Sequence, residues 1–170
     1  ESDEPSFIHK AGDNYLSYEA PADLEPGSSE LADFTLRLQS EVYKADKRVV
    51  DGTMSASGYE SSRYALCNSN GLDLEDTAAF SYSYASALVS DGESKYDGSG
   101  IASGSLEGFD AAKIAAEAVD DAVSTIGYTS VPSGKYTVVF SSKVMAALLS
   151  TYSSVFCADT AQKGLSLLAG

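Results

Sequence analysis

The stretch Thr77–Val89, Thr-Ala-Ala-Phe-Ser-Tyr-Ser-Tyr-Ala-Ser-Ala-Leu-Val, constrains the fold more than any other part of the chain. Phe80, Tyr82, Tyr84 and Leu88 fall on one parity, and Ala79, Ser81, Ser83, Ala85 and Ala87 on the other. Successive side chains of a strand point to opposite faces, so this pattern predicts a strand with one aromatic and one small-residue face. The small face lets a helix or a second layer come close. The aromatic face is expected to supply the larger apolar surface.

The rest of the chain is read outward from that strand. Residues 1–28 hold all but one of the prolines and several acids, and read as a linker or an arm packing on a neighbour, with Phe7, Ile8, Tyr15, Leu16 and Tyr18 able to dock. Leu31, Phe34, Leu38, Val42 and Ala45 follow helical spacing, with Glu30 and Asp33 in the first turn and Lys44 and Lys47 at the end, where each sign favours the helix dipole. This predicts a helix over 29–46. Val49–Ser57 and Tyr59–Cys67 alternate on either side of Gly58. Asn68-Ser69-Asn70-Gly71 is a turn, since Asn and Gly accept positive φ cheaply. Asp91-Gly92 predicts a tight hairpin, and Glu93–Ser105 a returning strand with bulges at Gly98 and Gly100. Asp110 is placed to cap a second helix, whose apolar face is Ala111, Ile114, Ala118, Val119, Ala122 and Ile126 and which Gly127 follows. After Pro132 and Gly134, Tyr136–Phe140 fits a short buried strand, and Ser141 or Ser142 caps a further helix. The order of elements predicts an α+β fold, an antiparallel β-sheet with helices packed on one face. The predicted domains are an N-terminal arm or linker (1–28), a central α+β domain (29–130) and the start of a C-terminal domain (131–170). The abrupt beginning at Glu1 reads as the start of a processed or excised piece.

Charge and residue chemistry narrow the function. The net charge of −14 repels phosphate backbones, which argues against direct nucleic-acid contact. No stretch approaches the roughly 20 apolar residues of a membrane helix. Cys67 and Cys157 stand far apart and read as two buried thiols. The single histidine, His9, reads as a surface residue, so a nucleophilic triad lacks its base. Asp73, Glu75 and Asp76 lack a calcium-loop pattern and read as a solvated turn. Gly98-Ser99-Gly100 is too short for a nucleotide-binding motif, and Asp120-Asp121 read as surface residues. Arg63, in mid-strand, reads as a member of a surface cross-strand pair, with pairing to Glu60 or the clamping of a carboxylate as the alternatives. No catalytic, metal-binding or cofactor-binding residue is assigned, and the substrate-binding residues are left unknown.

The run Tyr59-Glu60-Ser61-Ser62-Arg63-Tyr64-Ala65-Leu66-Cys67-Asn68-Ser69-Asn70-Gly71 resembles the central segment of the TldD/PmbA family, where a strand with an Arg and small residues leads into Asn-Ser-x-Gly. The preceding helix ending at Lys47-Arg48-Val49-Val50, the Asp-Gly hairpin and the alanine-rich helix come in the family's order. Val131–Phe140 resembles its joint into a C-terminal domain. The resemblance covers roughly residues 28 to 170 and implies a cytoplasmic peptide-processing machine. In it, TldD-type subunits carry zinc on a His-Glu-x-x-x-His helix and PmbA-type subunits, also called TldE, lack it. The positions matching that helix are Ser150, Thr151 and Val155. The resemblance therefore implies a PmbA/TldE-like, non-metal subunit, with zinc in a TldD-type partner and peptides as substrates. The family is also linked to modulation of DNA gyrase. A reading from another class stays open: an acidic, non-enzymatic adhesion or ligand-binding module, for which an oxidised Cys67–Cys157 pair would speak. So does a third, a peptidase active on its own.

Overall fold

Two helices lie on the small-residue face of a three-stranded antiparallel sheet in the computed structural model, which describes residues 11, 12, 15 and 25–167. The chain divides into two compact units, residues 1–128 and 129–170. In the first, α1 (Ser28–Ala45) leads into β1 (Met54–Cys67), β2 (Asp73–Ser90) and β3 (Lys95–Gly104), and α2 (Ala111–Ser124) follows. The sheet order is β1-β2-β3. The α+β class predicted from the sequence is the class observed.

The helices start where local chemistry places them. The Gly27 N–H donates to Glu30 Oε2 at 2.8 Å, closing the first turn of α1. Asp110 Oδ1 accepts from the backbone N–H groups of Ala112 and Lys113, capping α2. From α1, Phe34, Leu38 and Val42 are buried, and from α2, Ala111, Ile114, Ala115, Ala118 and Val119; both sets meet Ala85 and Ala87 of β2. Full burial of a side chain such as Leu38 contributes about 1.5–3 kcal/mol. Phe34 and Phe109 meet edge to face, ring centroids 5.9 Å apart.

A helix does come close on the small-residue face, as its side chains allow. The small face of β2 is the core: Ser81, Ser83, Ala85, Ala87 and Val89 are buried, while Tyr82, Tyr84 and Leu88 on the aromatic face are only half-buried. Small side chains win the interior because they let the alanine-rich helix come close. Ser57 Oγ and Ser83 Oγ satisfy each other across the sheet at 2.8 Å, whereas the buried Ser55 Oγ has no hydrogen-bond partner.

Gly98 and Gly100 have a different role from the predicted bulges. The β2–β3 register runs unbroken from Ser81 opposite Gly104 to Ser90 opposite Lys95. A Cβ on Gly98 would lie 2.2 Å from the Ala122 nitrogen and 2.4 Å from the Ala118 oxygen, and one on Gly100 2.2 Å from the Ile114 oxygen. The backbone of α2 rests directly on that of β3. Asp121 Oδ2 accepts the Ser99 N–H at 3.1 Å, so α2 also covers the outer edge of β3, and Asp121 is more than a surface residue.

Two further expectations change, while β1 runs through Gly58 without a break. Asp73, Glu75 and Asp76 lie in β2 rather than in a turn, the long alternating ladder with β1 extending to Asp73. The β2–β3 connection is the four-residue Asp91–Ser94, because Asp91 Oδ1 accepts from both Glu93 and Ser94. Those two N–H groups, with the Tyr96 hydroxyl, hold the Asp91 carboxyl below its ordinary range.

Between α1 and β1, Asp46 accepts the Arg48 guanidinium at 2.9 and 2.7 Å and the Arg48 backbone N–H at 2.8 Å, which lowers its pKa from 3.8 to about 2. The fixed turn lets the Arg48 carbonyl accept the Ser90 N–H and the Val50 N–H donate to Leu88, extending the sheet.

The second unit comprises α3 (Ser142–Thr151) and α4 (Ala158–Gln162) with a short 3-10 turn, Ser153–Phe156, between them. Ser141 Oγ caps α3 through the Val144 N–H at 3.3 Å. Tyr136–Phe140 is not a buried strand. It pairs with no other segment among the described residues, and Val139 is 91% exposed. A β-run needs a partner ladder to become a strand, and this unit supplies helices only.

Two outcomes follow. Gly98→Ala is expected to destabilise the chain by about 3 kcal/mol, read from denaturant midpoints, because α2 must lift off the sheet to admit a methyl group. Asp46 has a depressed folded pKa, so its contribution is present above about pH 4 and fades as pH falls through about 2. Asp46→Asn is expected to be less stable than the native chain at about pH 6, with the gap closing as the pH is lowered toward 2.

Candidate functional site

The features left for function are an open sheet face, a projecting ribbon and an acidic groove. The β1–β2 register runs from Met54 opposite Ser86 to Cys67 opposite Asp73, whereas β3 ends opposite Ser81. Glu60–Cys67 and Asp73–Phe80 therefore continue beyond β3 as a two-stranded ribbon. Its tip is held by Asn68, whose Oδ1 accepts the Asn70 N–H at 2.9 Å and the Leu72 N–H at 3.3 Å, and by Gly71 at φ +79°.

Side chains of even number share one face of β1 and β2. That face carries Tyr64 (60% exposed), Leu66 (58%), Phe80 (40%), Tyr82 and Tyr84, together with the exposed carboxylates Glu60 and Asp76. Ile101 of β3, opposite Tyr84, extends it. The Phe80 and Tyr82 rings lie 6.4 Å apart. Tyr82 lies across Gly58, where a Cβ would meet its hydroxyl at 2.5 Å; an aromatic ring here covers a glycine in the neighbouring strand. On the opposite face Arg63 pairs with Glu75, one of the outcomes open to it, and not with Glu60.

The groove, about 570 Å³, lies between the start of α1 and the Ser105–Phe109 turn, lined by Glu25, Glu30, Asp33, Phe34, Arg37, Glu107 and Phe109 among others. The Arg37 guanidinium stands 5.0 Å from the Phe34 ring centroid. Ser105 is the one hydroxyl among the lining residues and no imidazole stands with it, so the walls offer carboxylates and shape rather than a nucleophile paired with a histidine base.

The residues singled out from the sequence are spread apart. His9, Phe7, Ile8, Leu16 and Tyr18 lie outside the described residues. Cys67, at the ribbon tip, and Cys157, before α4, are free and exposed rather than buried. Both sit at the ends of elements, where nothing packs over them. Ser150 and Thr151 close α3, with the Thr151 hydroxyl on the Ala147 carbonyl at 2.9 Å, and Val155 lies in the following 3-10 turn. These three side chains do not fit a zinc ion: two are neutral hydroxyls and one a hydrocarbon. Among the described residues no cluster of three or more His, Cys, Asp or Glu could hold a metal, and no helix is long and apolar enough to cross a membrane. The sequence marks the small face as the one a helix can approach and the aromatic face as the larger apolar surface, without saying which of the two is covered. The signal was present in Gly98-x-Gly100 set against an alanine-rich helix, which marks the small face as the one in closest contact.

Gly58→Ala is expected to cost less stability than Gly98→Ala, because the Tyr82 side chain can swing into solvent whereas α2 cannot. Urea unfolding of the two variants side by side checks the order.

Comparison with known proteins gives this architecture a lineage. The family model of the PmbA/TldA metallopeptidase central domain matches residues 21–126. No curated protein sequence matches the chain. A proposed modulator of a DNA gyrase from Thermotoga maritima MSB8 superposes with a TM-score of 0.79 at 26% identity, over 96% of this chain and 39% of that one. A proposed modulator of DNA gyrase from Bacteroides thetaiotaomicron VPI-5482 gives 0.76 at 20% identity, over 98% of this chain and 38% of the other. TldE from Thermococcus kodakarensis gives 0.67 at 17% identity, over 96% and 37%. The chain thus spans less than two-fifths of the length of these structures, and the last two likenesses concern the fold alone. The chain belongs to the TldD/PmbA family, and residues 21–126 are its central domain.

Proposed function

We propose that this chain is the central part of a PmbA/TldE-like subunit that holds and shapes peptide substrates for a TldD-type zinc-bearing partner, without cleaving bonds itself. The observation that carries this reading is the chemistry at 150, 151 and 155. Ser150, Thr151 and Val155 stand where the resemblance sets the metal ligands and the catalytic acid, and none can bind zinc or move a proton at neutral pH. Family membership supports the peptidase context. The bond-breaking group is supplied by the partner, and this chain contributes surface. The reading places the protein in the cytoplasm. If it shares the link to DNA gyrase carried in the names of its structural relatives, a net charge of −14 favours contact with protein over contact with DNA.

The test is a reconstitution. The protein containing this chain is purified alone and with a TldD-type subunit, and bound metal and cleavage of unfolded peptides are measured with and without a chelator. The expected result is neither stoichiometric zinc nor cleavage by the protein alone, and chelator-sensitive cleavage in the mixture. Zinc-dependent cleavage by the protein alone overturns the assignment.

A further inference from the structure

The sheet has three stretches of outer edge, and on two of them an outward N–H is already taken by a carboxylate. The edge of β3 lies under α2, whose Asp121 carboxylate takes the Ser99 N–H at 3.1 Å. The edge of β2 beyond β3 has its Thr77 N–H taken by Asp76 Oδ1 at 2.8 Å. The edge of β1 is left. Even-numbered β2 residues direct their backbone groups toward β1, as the bonds of Leu88 with Val50 and Ser90 with Arg48 show. The register therefore turns the backbone groups of Tyr59, Ser61, Arg63 and Ala65 outward. Among the described residues nothing pairs with them. A 14-residue edge strand without proline or lysine is a template for another strand, and proteins usually blunt such edges.

The charges beside this edge select what it accepts. Arg63, the one cation on β1, is engaged by Glu75. Glu60 beside Phe80, and Asp76 beside Tyr64, have no cationic partner among the described residues. Carboxylates next to exposed aromatic rings favour lysine or arginine on the same face, through ion pairing and cation–π contact. They disfavour an acidic strand.

We propose that the outer edge of β1, over Tyr59–Ala65, receives an extended, lysine- or arginine-bearing segment of another polypeptide as an added strand. Main-chain hydrogen bonds hold it, and alternate cationic side chains lie over the Glu60–Tyr64 side of the sheet. This inference stands apart from the peptidase reading: it concerns binding and requires neither metal nor cleavage.

The test measures binding of labelled octapeptides to the intact protein by fluorescence anisotropy. One peptide alternates lysine with valine and another alternates glutamate with valine. A third is the lysine peptide N-methylated on alternate residues, in both phases. Ser61→Pro removes one outward N–H while leaving the inward ladder intact. Glu60→Lys combined with Asp76→Lys reverses the charge. The lysine peptide is expected to bind at least about tenfold tighter than the glutamate peptide, to weaken about tenfold with Ser61→Pro or with the better-placed N-methylation, and to lose its advantage on charge reversal. Should Ser61→Pro fail to fold, the N-methylated peptides give the same readout on the native protein. Equal binding of the two charge types, or indifference to both N-methylated peptides, overturns the proposal. Concentration-dependent dimerisation that Ser61→Pro abolishes also overturns it, by assigning the edge to a second copy of the chain.

Discussion

The contact between α2 and β3 fixes the rest of the first unit. Gly98 and Gly100 bring strand and helix backbones to a separation that no side chain could share, with Ile114, Ala118 and Ala122 lying over them. A helix that close leaves room beneath it only for small residues on the neighbouring strand, and β2 supplies Ser81, Ser83, Ala85 and Ala87 there. α1 then fills the remaining flank with Phe34, Leu38 and Val42, the larger side chains of the core. The order of causes runs from two glycines, to an alanine-rich helix, to a small-residue strand face. Dispersion and burial reward the approach, and the packed interior resists even one added methyl group.

The same contact determines what is exposed. With small residues taken inward, the alternation of β2 sends Phe80, Tyr82 and Tyr84 to the side away from α1 and α2. α2 also reaches the β3 edge, so the sheet is asymmetric: one edge lies under a helix, and the other, that of β1, has no partner strand among the described residues. A two-stranded ribbon is marginal in water on its own. Here its base is anchored in a three-stranded sheet and its tip is tied by Asn68. The scaffold holds rigidly at one end what it presents at the other.

How much of this was legible depends on how local each cause is. Asp110 as a cap, the helical spacing of Leu31 to Ala45, the Asn68–Gly71 turn and the strand character of Thr77–Val89 depend on near neighbours, and each shows in the sequence. Which face of β2 is inward depends on how close a helix from residues 111–124 can come, a fact written at Gly98 and Gly100. Those glycines suggested bulges only because their partner helix was not considered with them. Asp73–Asp76 looked like a turn because acids are rare in strands, yet the ladder to β1 and the Arg63–Glu75 pair carry them. The thiols of Cys67 and Cys157 looked buried because cysteines usually are; their places at element ends decide otherwise.

For the candidate site, the sequence was most informative through what it lacks. The chain has one imidazole, and positions 150, 151 and 155 carry a hydroxyl, a hydroxyl and a hydrocarbon, none of them a usual zinc ligand. Its working features are surfaces, and surfaces leave weak local signatures because they arise from register and layer order. Glu60 and Asp76 are unremarkable acids along the chain. They become a selective feature only when the register places one beside Phe80 and the other beside Tyr64, with Arg63 engaged by Glu75 on the reverse face. Under the proposed reading, in which a partner carries the chemistry, recognition comes from such fixed arrangements of exposed backbone and charge. The open β1 edge is where this fold concentrates them.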